Sequence, residues 1–217
     1  MDLSTFSPVS ALVTVILIAL APFVAVMVTS FTKIVVVLSL LRNALGVQQV
    51  PPNLVINGLA LILTVYVMYP VGRAMVAEVE PGTGLDSSTA ELFAAANRAK
   101  EPLREFLIER SSERDREFFL DTVERMSDER WRGELAATDF VVVVPAFTIN
   151  ELTAAFQIGF LVFLPFIVID LVIANILMAM GMMMLSPTIV SLPFKLLLFV
   201  LIDGWTRLAH GLVLSYL

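Results

Sequence analysis

The last third of the chain is apolar enough to enter a membrane, yet it carries groups that a membrane penalises. Residues 156–185 form one long apolar stretch, interrupted by Pro165, Asp170 and Asn175 and closing in Met178-Ala-Met-Gly-Met-Met-Met-Leu-Ser-Pro187. A second stretch, residues 192–217, contains Lys195, Asp203, Arg207 and His210. An Asp, Lys or Arg at the centre of a membrane helix costs at least ~2.5 kcal/mol. A chain that needed only an anchor would use leucine. These ionisable groups argue for a buried protein–protein interior or a polar conduit, and the methionines for a soft surface within it.

The whole chain supports a membrane setting. It is 58% hydrophobic with a mean hydropathy of +0.89, whereas soluble domains are about 45–50% apolar. It has no cysteine, which removes disulfides, thiolate nucleophiles and Cys-ligated metals. A formal charge of −6 argues against nucleic acid as a partner. Met1-Asp-Leu-Ser-Thr-Phe-Ser-Pro8 lacks the positive n-region of a signal peptide, so the first apolar segment is expected to be retained.

That segment spans residues 11–28, contains Pro22, passes through Thr29-Ser-Phe-Thr-Lys33 and resumes over residues 34–41. Arg42-Asn-Ala-Leu-Gly46 ends it, with Gly46 placed as a helix C-cap. Val50-Pro-Pro-Asn53 restarts the chain. The next block, residues 54–69, ends at Pro70 and falls short of the roughly 20 residues a span needs.

The middle differs in kind. Residues 78–139 hold sixteen acidic and nine basic residues, a net of −7. Ser88-Thr-Ala-Glu91 and Ser112-Glu-Arg-Asp115 read as capping boxes, and Pro102 as a break between helices. This predicts a small charged domain of two or three helices. Leu103, Phe106, Leu107, Phe118 and Phe119 supply its apolar face, and residues 109–117 form a solvated charged face. Lys33, Arg42 and Lys195, read as connector charges, would lie in the cytoplasm by the positive-inside rule. That would put the acidic middle outside. Beyond it, Phe140-Val-Val-Val-Val-Pro145 reads as a short buried run, with Thr148 or Asn150 as the next N-cap. Residues 156–185 exceed one span, so Pro165 and Gly181 are expected breaks. Ser186-Pro187 and Leu192-Pro193 bracket the tip of a helical hairpin near residues 186–191.

Two constellations stand out. Met178, Met180, Met182, Met183 and Met184 read either as apolar filler in a membrane helix or as a loop presenting flexible thioethers to a lumen. Three consecutive methionines cannot share one helical face. The second set is Glu151, Asp170, Lys195, Asp203 and Arg207, with Asn175 as a further buried polar candidate. These read as structural pairs, or as an ion path; Asp203 and Arg207 are four apart and can pair on one face. Asp170 and Asp203 also raise an aspartic-protease dyad, but the Gly-x-Gly-Asp pattern expected there is absent. No phosphate loop, zinc-protease or serine-nucleophile motif is present. The residues therefore suggest no enzyme, cofactor or metal site.

Longer motifs carry a resemblance. Pro22-Phe through Thr32-Lys-Ile-Val35, Leu41-Arg-Asn-Ala-Leu-Gly-Val-Gln-Gln-Val-Pro-Pro-Asn53 and Pro102-Leu-Arg-Glu-Phe106 begin it. Val144-Pro-Ala-Phe, Glu151-Leu-Thr-Ala-Ala-Phe-Gln-Ile-Gly-Phe160, Pro165-Phe-Ile-Val-Ile-Asp170 and Met180-Gly-Met-Met-Met-Leu-Ser-Pro187 continue it, and Lys195-Leu and Asp203-Gly-Trp close it. In these the chain resembles the FliP/SctR family, core membrane proteins of type III secretion and flagellar export, over all but residues 76–99. Its short N-terminus looks more like the non-flagellar SctR branch.

The resemblance implies a pentameric ring at the bacterial inner membrane. Its implied partners are two other small export-apparatus membrane proteins (SctS/FliQ-like and SctT/FliR-like), the export gate proteins, membrane lipid and unfolded secreted substrates. It implies a methionine gasket at Met182, Met183 and Met184, and a salt bridge between Glu151 and Lys195. The reading is then an all-α integral membrane protein with about four hydrophobic segments in bent hairpins. It divides into an N-terminal membrane hairpin (1–76), an acidic helical periplasmic domain (77–139) and a pore-lining C-terminal hairpin (140–217). The competing reading is a small ion or proton transporter subunit using Asp170, Glu151 and Lys195.

Overall fold

The structure is a computed structural model that describes residues 8–47, 49–79, 89–128, 133–182 and 184–217. Among these residues every regular element is a helix. In chain order they are α1 (Pro8–Met27), α2 (Phe31–Leu45), α3 (Asn53–Val79), α4 (Thr89–Ala99), α5 (Glu101–Glu109), α6 (Glu113–Met126), α7 (Phe140–Ala179), α8 (Pro187–Leu201) and α9 (Gly204–Leu214).

Helix α2 is the centre of the fold, and its sequence dictates this. Ile34, Val37, Leu38, Leu41, Ala44 and Leu45 recur at three- and four-residue spacing, which makes one apolar stripe. All six are buried. The stripe packs along α7 and against α3, with Ile56, Ala60, Ala155 and Leu212 completing the core. Gly159 permits the close approach of α7, because a Cβ there would lie 2.2 Å from Leu40 Cδ1. Gly46 ends α2 at φ +75°, with its N–H on Asn43 O, as its position in the sequence predicts. Arg42 Nη1 then donates to Asn53 Oδ1 and, at 3.4 Å, to Pro51 O, closing the loop into α3.

Two helices, α3 and α7, are long and apolar enough to cross a membrane. Residues 18–27 with α2, bent by 66°, and α8 with α9, bent by 61°, are long and apolar enough only when each pair is taken together, as a broken span or a re-entrant loop. Large side chains face outward along them, including Leu54, Ile62, Tyr66, Phe160 and Leu161. An apolar surface of that extent needs lipid or neighbouring subunits to cover it. The chain is an all-α membrane protein.

Several local expectations give way. Helix α3 does not stop at Pro70 but runs through it for 27 residues. Helix α7 is a single 40-residue helix containing Pro145 and Pro165. The run at 140–145 is thus its first turn, and neither Thr148 nor Asn150 is an N-cap. Thr148 Oγ1 instead donates to Val144 O at 2.8 Å. A proline removes one backbone donor, but leaving the helix in an apolar setting would orphan several. The hairpin turn falls at residues 180–186, since Ser191 is already inside α8. Lys33 and Arg42 lie in α2 and Lys195 in α8, so none is a connector charge, and Lys33 and Lys195 are buried.

Helices α4–α6 form the charged middle part. Pro102 sits in the first turn of α5, and Ser112 precedes α6 without a side-chain cap bond. The Ser88 box lies outside the described residues. The expected apolar face splits in two. Phe106 and Leu107 are buried against Val28, Val143, Phe147 and Tyr216, whereas Phe118 is 62% exposed. In the 109–117 run Glu109, Glu113, Arg114 and Glu117 are exposed, while the remaining residues, Arg110 and Arg116 among them, are half-buried. Arg116 Nη1 donates to Ile108 O at 2.7 Å.

Candidate functional site

The methionine turn is built by the end of α7. Gly181 reverses the chain at φ +75°, and Met182 N–H reaches back to Leu177 O at 2.9 Å. Ser186 and Pro187 start α8. Met180 (61% exposed), Met182 (41%) and Met184 (101%) point away from the core. Met183 lies outside the described residues. The turn therefore presents thioethers to its surroundings without burying them in its own fold.

A polar clip fixes the base of this turn. Lys195 Nζ of α8 lies 2.7 Å from Asp170 Oδ2 of α7 and donates to Ala44 O of α2 at 3.3 Å. Ser191 Oγ donates to the other oxygen, Asp170 Oδ1. Lys195 thus joins three helices, and its charge sits at the carbonyl end of α2, where the helix dipole favours a cation.

Glu151, 2% exposed, has different partners. Lys33 Nζ of α2 stands 3.3 Å from Glu151 Oε1, and Tyr216 OH donates to Glu151 Oε2. Lys33 Nζ also sits 3.5 Å from the centroid of the Tyr216 ring, a cation–π contact. Arg110, at the end of α5, donates to Tyr216 O and lies 4.7 Å from the Phe106 ring centroid. Asn150 Nδ2 donates to Arg110 O at 2.7 Å. The Glu151 carboxylate thereby joins α7 to α2 and to the segment after α9, while Asn150 and Tyr216 O hold the α5–α6 corner through Arg110.

Within the chain, then, the expected Glu151–Lys195 pair does not form. Glu151 and Asp170 are on the same helix, about 28 Å apart at 1.5 Å per residue, and Lys195 docks at the Asp170 end. Each partner of the expected pair is occupied by another. Of the other candidates, Asp170 is half-buried, while Asn175, Asp203 and Arg207 are exposed. Asp203 adopts φ +53° at the α8–α9 bend. It accepts the Arg207 backbone N–H at 3.0 Å, but no ion pair joins their side chains among the described residues. Arg110, Ser191 and Tyr216 are polar participants that sequence reasoning did not place, and Lys33 is one that it placed in a connector and not in a buried pair. The available signal was Lys33 itself, a lone lysine opening the run Ile34-Val-Val-Val-Leu, which needs a buried acid.

The sequence matches the FliP family over residues 13–212. It is 49% identical over 208 residues to "Yop proteins translocation protein R" of Yersinia pestis, covering 96% of each chain. Identity is also 49%, over 209 residues, to "Hypersensitivity response secretion protein HrcR" of Ralstonia nicotianae, covering 95% of this chain and 96% of that one. It is 41% over 210 residues to "Flagellar biosynthetic protein FliP" of Bacillus subtilis, covering 97% and 92%. The all-helical membrane architecture and this near-complete match lead to one assignment: the chain belongs to the FliP family.

Proposed function

We propose that this protein is a core subunit of a type III protein export gate, assembling into a ring that conducts unfolded secretion substrates across the bacterial inner membrane. Its partners in this reading are further copies of itself, in a pentamer, two other small export-apparatus membrane proteins, the export gate proteins and the passing substrate. No catalysis is assigned to it. The observation that carries the reading is the exposed methionine turn at the end of α7, in a chain of this family. Flexible, polarisable thioethers can close around nothing and reshape around a passing chain. Replacing Met182, Met183 and Met184 together with alanine should leave the ring intact and make the membrane leak small ions. Normal secretion through a membrane that stays tight would sink the gasket. Within the chain Glu151 and Lys195 are each engaged by another residue, so a bridge between them, in this reading, forms across subunits of the ring.

The three-part organisation, with the middle part periplasmic, is part of the same proposal; its middle part is set apart by the net −7 of residues 78–139. The buried Lys33 and Lys195 carry no topological weight. A reporter that folds only after export, fused near residue 84, should be active; activity restricted to a cytoplasmic reporter at the same place would invert the topology.

A further inference from the structure

The bend between α8 and α9 leaves a cleft of about 270 Å³. Its walls include Leu41, Val162, Phe166, Phe199 and Leu208, from four helices, and Arg207 is among the lining residues. Helix α9 is amphipathic. Leu212 is buried and Leu208 half-buried, while Thr206, Arg207 and His210 are exposed. A helix of 11 residues, turned by 61° from its neighbour and carrying Trp205 and an arginine, suits the membrane–water interface. Arg207 has no side-chain hydrogen bond or ion pair among the described residues, and Asp203 meets it only through the backbone.

We propose that this cleft binds an anionic phospholipid, with its phosphate on Arg207 and an acyl chain between the apolar walls. One amphiphile answers both features. Guanidinium N–H groups match phosphate oxygens in pairs, and the walls take the chain out of water. A carboxylate from a second copy would answer the guanidinium but leave the cleft empty. A zwitterionic lipid would fill the cleft but bring no net negative charge.

Trp205 packs edge-on against the cleft wall at Phe199, with centroids 5.4 Å apart, and is a built-in probe. The chain has two tryptophans, so Trp131→Phe in the full-length protein leaves Trp205 as the only indole. Micelles of this protein are titrated with phosphatidylglycerol or phosphatidylcholine whose acyl chains carry bromine, a contact quencher of indole. Phosphatidylglycerol should quench at about fivefold lower concentration, the worth of one basic group at an anionic surface. Arg207→Gln should bring it to the phosphatidylcholine value, Arg207→Lys should retain part of the preference, and Val162→Phe should weaken quenching by both lipids. Equal affinities in the parent overturn the proposal, as does a preference that survives Arg207→Gln. It is also overturned if Arg207→Gln lowers ring yield while the parent shows no lipid preference, which assigns the guanidinium to a neighbouring copy's carboxylate.

Discussion

Glu151→Ala is expected to be the most damaging single substitution in the chain. It leaves the Lys33 ammonium, 4% exposed, without its carboxylate, and it removes the nearer acceptor of the Tyr216 hydroxyl, leaving only Ser30 O at 3.5 Å. Breaking a buried pair from one side costs about 3–5 kcal/mol, a large part of a total stability of about 5–15 kcal/mol. The variant should be largely lost to proteolysis in cells and should give little ring on extraction in mild detergent. Tyr216→Phe removes only one hydrogen bond to the same carboxylate and should cost about 1–3 kcal/mol. The double variant Lys33→Met with Glu151→Leu removes both charges at once and should recover much of the yield, because apolar replacements for a buried pair are often near neutral. If the double variant is as poor as Glu151→Ala, the ion pair is not what holds this junction.

Gly204→Ala should come second. A Cβ at Gly204 would fall 2.1, 2.2 and 2.6 Å from three atoms of the Phe199 ring. That ring cannot easily swing away, since it is braced by Trp205 at 5.4 Å and Phe166 at 6.5 Å. Overpacking of this kind costs about 1–3 kcal/mol, and here it would force the α8–α9 bend open. Gly211→Ala is the internal control on the same helix, where nothing lies within 4 Å. Gly159→Ala should be milder than Gly204→Ala, because its nearest contact is the far end of Leu40. The readout is the detergent melting temperature of each variant, with Phe199→Leu added as the rescue for Gly204→Ala. Equal melting temperatures for the Gly204 and Gly211 variants would show that the bend tolerates a side chain.

Helices were legible in this sequence because apolar periodicity and a few punctuating residues define them locally. Gly46 ended α2 where a left-handed residue was needed, and Pro102 opened α5. Pro70, Pro145 and Pro165 misled for a physical reason. A proline disfavours a helix because it lacks an N–H and crowds the carbonyl four residues back; in water the chain can leave the helix and have its freed groups solvated, whereas in an apolar setting continuing the helix orphans the fewest groups. The buried pairs were half legible. That Glu151 and Lys195 each need a partner follows from their surroundings. Which partner each takes depends on how far apart they lie along α7, and no short window of sequence contains that distance. Tyr216 and Arg110 were invisible for the same reason, since Arg110 sits in a charge run that reads as solvated and meets Tyr216 only when the end of α5 and the segment after α9 meet at α7. Residue 183, one of the three methionines of the proposed gasket, and the Ser88 box lie outside the described residues.

Helix α7 has a further consequence for transport. Forty helical residues make a rod of about 60 Å, twice the roughly 30 Å hydrocarbon thickness of a bilayer. Standing near upright, about half of the rod would clear the lipid, so in the proposed gate a passage lined by α7 would be longer than the membrane is thick. An extended polypeptide advances about 3.4 Å per residue, which in such a passage would put roughly eighteen residues of a threading chain alongside α7 at any moment. A substrate arrested in transit would be shielded from proteases over a stretch of that order, whatever its own sequence.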